Sequence, residues 1–301
     1  MTASRARRLK ADLALIFVSL VWGATFVLIK QALDSVSTIL FLTLRFTIAA
    51  AALAALFLGR VSNSLRQWRA GALVGSFLFT GYCLQTTGLR YTTPSKAGFI
   101  TGFYIVLVPV FSAAVYRRAP QAAEVAGVAL ASVGMCLLTL PSLRLEIGYG
   151  DLLVLGSAIA YAFHILVLGR FSAEMSYETL SVSQITTGAL LGAISFWWLE
   201  KPHILFHANV IVALAVTGLL ATALAFAVQS WAQQFTTPTR TALIFALEPV
   251  FAWLTSYVLT GELLSPRGAA GAVLILTGVL LVELKPARFA RHQSDRQRVS
   301  L

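Results

Sequence analysis

Ten apolar runs of roughly 20 residues each divide this 301-residue chain. A helix rises about 1.5 Å per residue, so about 20 such residues cross the roughly 30 Å of hydrocarbon in a bilayer. The runs are Leu13–Lys30, Val36–Leu58, Ala70–Leu89, Lys96–Val115, Ala122–Leu140, Leu152–Phe171, Leu180–Leu199, Val210–Trp231, Thr241–Leu259 and Gly268–Val282. With their turns they occupy nearly the whole length, which leaves no room for a soluble domain. The pattern predicts an all-α polytopic membrane protein with ten transmembrane helices. Only 12% of residues are charged, against about 25% in soluble domains.

The net charge of +11 would suit a nucleic-acid binder, but its distribution argues against one. With the N-terminus on the cytoplasmic side, 16 of the 23 Lys and Arg fall on that side and six on the other, with Arg45 inside a span. This is the positive-inside bias. It predicts both termini in the cytoplasm. The basic segments 1–12 and 284–301 read as orientation signals beside anionic lipid, with no nucleic-acid partner. The first apolar run is too long, and ends without small residues, so it reads as a retained span rather than a cleaved leader. Cys83 and Cys136 lie in apolar spans and read as packing residues. No metal-ligand spacing is present, and no cofactor or metal is expected.

The chain also repeats itself. Thr92-Thr93-Pro94 recurs as Thr236-Thr237-Pro238, Gln85 as Gln229, Gly127 as Gly271 and Gly134 as Gly278, all 144 positions on. Asp12-Leu13 recurs as Asp151-Leu152, and Trp22 as the aromatic Tyr161, both at 139. The Pro-Val-Phe at Pro109 recurs at Pro249, at 140, which would make Val108 the mate of Glu248. The repeats are expected at 13–140 and 151–283, with five spans each. An odd number of spans makes the second repeat enter the membrane from the opposite side. Two inverted five-helix repeats are the arrangement of secondary transporters, whose sites lie between the halves.

The stretches PVFSAAVYRRAPQAAEVAGVALASVGMCLL and EPVFAWLTSYVLTGELLSPRGAAGAVLILTGVLL, with VWGATFVLIKQAL and LTLRF, carry a family likeness. The chain resembles the EamA family of the drug/metabolite transporter superfamily from about Leu13 to Glu283. The resemblance implies a ten-helix inner-membrane carrier, commonly an exporter of amino acids or other metabolites. The first half has Arg117-Arg118-Ala119 where the second has Gly261-Glu262-Leu263, so the family pattern is degraded there.

Polar residues inside spans report which faces avoid lipid. Trp22, Thr25 and Ile29 share one helical face; 139 residues on lie Tyr161, His164 and Leu168. Tyr82, Gln85, Tyr104, Gln184 and Gln229 extend the set towards a shared, aromatic-lined aqueous cavity. Each alone is equally an interhelical hydrogen bond. Arg45, nine residues beyond Val36, must face protein, water or an anion; it is either a clamp for a substrate carboxylate or a structural pair for a helix C-terminus or Glu248. At Pro249 the carbonyl of Phe245 loses its helical partner, and the same kink is expected at Pro109. A freed carbonyl beside Glu248 makes a polar pocket able to hold a proton or an ammonium group, or merely braces the kink. Gly71 with Gly75, Gly98 with Gly102, and Gly188 with Gly192 have the spacing of close helix contacts.

These features predict a secondary active transporter working by alternating access. Its substrates would be small amphiphilic metabolites such as amino acids, exported in exchange for protons or down their own gradient. A uniporter or exchanger of other metabolites or organic cations is the alternative. An intramembrane enzyme is disfavoured, since His164 has no acidic neighbour at helical spacing and no nucleophile beside it. Membrane lipid surrounds a monomer or homodimer.

Overall fold

A computed structural model describes residues 3–117, 119–140, 147–261 and 263–284. The tail from 285 onward, Arg118, Arg144 and Glu262 lie outside them. The first repeat begins with α1 (Ala3–Ala32), α2 (Thr38–Leu56) and α3 (Leu65–Leu89). Its fourth span is broken into α4 (Pro94–Thr101) and α5 (Tyr104–Tyr116), and α6 (Ala122–Thr139) completes it. The second repeat runs α7 (Tyr149–Ser172) and α8 (Tyr177–Leu199). Then come α9 (Ala208–Gly218) and α10 (Ala225–Ala232), joined by the π-helical stretch Leu219–Leu224. Its ninth span is broken into α11 (Pro238–Phe245) and α12 (Glu248–Thr260), and α13 (Pro266–Leu284) is last. Among the described residues, eight of the spans are long and apolar enough to cross a membrane by length and composition; α3 and the shorter apolar α13 bring the number to ten.

The repeated Thr-Thr-Pro has a local cause. Thr93 and Thr237 cap α4 and α11, their hydroxyls accepting from the backbone N–H of Lys96 and Arg240. Pro94 and Pro238 occupy the first helical turn, where a missing N–H costs nothing. The breaks correct the expected kinks. They fall at Gly102–Phe103 and Ala246–Leu247, and Pro109 lies inside α5 rather than at a break. Pro249 is the second residue of α12, so it starts a helix instead of interrupting one. The fourth and ninth spans therefore match at 144 throughout. Tyr104, not Val108, is the mate of Glu248, and Arg117 is the mate of Gly261. Both of those last residues end their helices with left-handed backbone, φ 51° and 73°. Glycine adopts that conformation freely, whereas arginine is strained there.

Glycines set the closest helix approaches. A Cβ added at Gly134 would lie 2.5 Å from the carbonyl oxygen of Gly271, and one at Gly278 would lie 2.6 Å from that of Gly127. Thus α6 and α13 cross backbone to backbone, each repeat offering the other the same pair. Gly71 and Gly75 meet Ser183 and Gln184 of α8, while Gly188 and Gly192 meet Phe46 and Thr43 of α2. Gly102 meets Met135, but Gly98 faces open space, so the expected contact at that pair is half realised. The two larger buried apolar clusters among the described residues lie around Phe41, Phe46 and Leu78 and around Ile105, Val108 and Leu243; a smaller one holds Val74, Leu168 and Leu180. Trp22 and Tyr161 pack against both larger clusters.

Candidate functional site

Trp22 and Tyr161 stand where the two larger clusters meet, and beside them lies a cavity of about 590 Å³ of empty space, its mouth included. Ten of the eleven expected contacts line it: Trp22, Thr25, Arg45, Tyr82, Gln85, Tyr104, Tyr161, His164, Gln229 and Glu248. The eleventh, Gln184, stands behind the wall, where its Oε1 lies 2.9 Å from Nε2 of His164. Its amide donates to Ser230 at 2.9 Å. Gln184 thereby fixes the imidazole from outside the cavity.

The two helix breaks place Tyr104 and Glu248 at equivalent points, each the first residue of a second half-helix. Glu248 lies ten residues into a span that begins at Pro238, about halfway across. Its carboxyl makes no hydrogen bond or ion pair among the described residues and faces the cavity. The N-terminus of α12 offers it partial positive charge. Gly23 lets α1 close on this point, for a Cβ there would lie 2.5 Å from the carbonyl oxygen of Glu248.

Arg45 is 1% exposed. Its Nε donates to Thr222 Oγ1 at 2.6 Å, and its Nη2 donates to Tyr82 Oη at 3.0 Å and to the Ala221 carbonyl at 3.3 Å. Its guanidinium carbon lies 4.5 Å from the centroid of the Tyr82 ring. The pairing with Glu248 considered above is not made, since neither residue takes part in an ion pair among the described residues. Ala221 and Thr222 belong to the π-helical stretch, which shifts the backbone register. The Ala221 carbonyl also accepts from Trp22 Nε1 at 2.9 Å. One deformed turn thus seats both the indole and the guanidinium.

The other polar groups are chained. Tyr161 donates to Gln85 Oε1 at 2.9 Å, and the Gln85 amide donates to Thr101 at 3.0 Å. Thr25 donates to the Trp22 carbonyl at 2.9 Å. The Gln229 amide donates to Gln233 at 3.3 Å, while its Oε1 is buried without a partner. Aromatic rings close the remaining wall: Trp22 lies 4.8 Å from Phe245 and 5.5 Å from Phe226, and Tyr82 lies 5.7 Å from Tyr161. Thr101, Ile165, Phe226 and Phe245 were not singled out by the sequence reading, although all line the cavity. The 144-residue offset would have found two of them, because Phe226 is the mate of Tyr82 and Phe245 the mate of Thr101.

The sequence pattern of the EamA-like transporter family matches residues 9–140 and again 148–284. An uncharacterised transporter of Archaeoglobus fulgidus is 36% identical over 292 residues, covering 94% of this chain and 89% of its own. The uncharacterised transporter YvbV of Bacillus subtilis is 27% identical, covering 92% of each. One solved crystal structure superposes with a TM-score of 0.77 over 91% of this chain and 96% of its own; at 21% identity, that likeness concerns the fold alone.

Proposed function

Because the chain belongs to the EamA-like transporter family and is a multi-pass membrane transporter, we propose that it is a secondary carrier exporting small amphiphilic metabolites by alternating access. The observation that carries this reading is a single cavity, at the breaks of two symmetry-related helices, that holds an unpartnered carboxyl and an anchored guanidinium. Broken helices converging between inverted repeats are how carriers present charged ends to a substrate. A zwitterion fits the set: its ammonium group at Glu248, its carboxylate at the side of Arg45 not engaged by Thr222 and Tyr82, and its apolar part among Trp22, Tyr104 and Phe245. Amino acids lead that class. Glu248 would also take the coupling proton. The charge bias of the loops supports both termini on the cytoplasmic side of a bacterial inner membrane.

The lone carboxyl among aromatic rings also favours organic cations, which aromatic faces attract. Counterflow in proteoliposomes tests the proposal. Loading with an amino acid substrate is expected to stimulate saturable uptake of its labelled form. Linear, unsaturable flux would mean a channel, and stimulation by amines alone would select the cation reading.

A further inference from the structure

Among the described residues, two ion pairs built on buried aspartates lie apart from the cavity, at opposite ends of the bundle. Asp12 of α1 accepts from Arg240 of α11 at 3.0 Å, and Asp151 of α7 accepts from Lys96 of α4 at 2.5 Å. The offsets that relate the repeats carry one pair onto the other: Asp12 to Asp151 at 139, Lys96 to Arg240 at 144. Each joins the first helix of one repeat to the leading half-helix of the other repeat's broken span. A cation in the first turn of a helix opposes the helix dipole. Lys96 and Arg240 each face a compensating carboxylate from across the repeat boundary.

The two pairs are not equally complete. Asp151 also accepts from the Thr92 hydroxyl at 2.7 Å and from the Gly148 N–H at 2.8 Å. The mate of Thr92 is Thr236. Yet Asp12 Oδ1 and Thr236 Oγ1 are each buried without a hydrogen-bond partner. A buried donor and a buried acceptor, both unsatisfied where their mates bond each other, mark an interaction that has been left open.

We propose that the two pairs are reciprocal latches on the two mouths of the cavity. The latch of Asp151, Lys96 and Thr92 is shut. The latch of Asp12 and Arg240 is held short of closure, and Thr236 donates to Asp12 when that mouth seals. Rocking one repeat against the other must open one boundary while it compresses its mate, so the same chemistry at both ends keeps the two closed states close in energy. This rests on the alternating-access reading above.

Cysteine accessibility tests the latches without a substrate, so their failure is distinct from a failure of counterflow. With Cys83 and Cys136 replaced by Ala, Ile165→Cys places a thiol in the cavity wall, probed by a membrane-impermeant maleimide from either face of oriented vesicles. Asp151→Asn is expected to raise labelling about tenfold from the Asp151 face only, and Asp12→Asn from the Asp12 face only. Thr92→Val is expected to move labelling in the same direction as Asp151→Asn, and less far. Unchanged rates, or rises from both faces, overturn the proposal. Should the Asn variants fail to insert, Lys96→Cys with Asp151→Cys replaces them. With labelling read at position 165 alone by peptide mass, oxidation of that pair is expected to abolish it from the Asp151 face and a reductant to restore it; labelling at 165 that ignores the cross-link overturns the proposal equally.

Discussion

Glu248 and Arg45 face one cavity without meeting, and that separation gives each a distinct chemistry. Arg45 is held by Thr222, Tyr82 and the Ala221 carbonyl, so its charge is fixed in place before any ligand arrives. Glu248 has no such partner among the described residues, and its carboxyl is the group a proton or an ammonium can claim. Glu248→Gln keeps the shape and removes the charge. It is expected to weaken binding of an ammonium-bearing substrate about tenfold, the scale of one charge-assisted hydrogen bond, and to flatten the pH dependence of transport. Thermal-shift titration reads the first and counterflow across a pH series the second. Binding and pH dependence both unchanged would remove Glu248 from the site. The sequence made these two residues conspicuous because each is costly in an apolar span. It gave no sign that they stand apart.

Helix contacts turn on positions where no side chain is tolerated. At α6 and α13 the backbones touch through Gly127, Gly134, Gly271 and Gly278, and a Cβ would press on a carbonyl oxygen that has nowhere to retreat. Gly134→Val is expected to lower stability by about 1–3 kcal/mol, the usual cost of overpacking, seen as a lower Tm in detergent. Gly98→Ala, whose Cβ meets open space inside α4, serves as the control and should hold or slightly raise Tm. An unshifted Tm for Gly134→Val would mean that these helices do not pack as closely as the structure has them. Glycine spacing in the sequence suggested close contacts but could not separate Gly98 from Gly71 or Gly188. Spacing records that a helix face is bare, not what lies opposite.

For the whole molecule the decisive property is inversion. Cysteines at Ser64 and Glu174, in the turns after α2 and after α7, should react with an impermeant reagent from one face of the membrane. Those at Ser95 and His203 should react from the other. Any pattern that puts Ser64 and His203 on the same face would mean that the repeats thread in parallel, and the central cavity would lose its symmetry.

The sequence by itself determined the number of spans, the duplication, and the helical faces that carry polar groups. These are local quantities: transfer of each residue from water to hydrocarbon and the 3.6-residue period act on neighbours in the chain. Tertiary structure decided the register of the broken spans, where Pro249 begins a helix and Tyr104 is the counterpart of Glu248. It also decided the π-helical turn that seats Trp22 and Arg45, and the ion pairs that tie the repeats together. Asp12 and Arg240 are 228 residues apart, and Arg45 and Thr222 are 177 apart. Contacts of that kind depend on how whole helices cross, and hydropathy carries no record of the crossing.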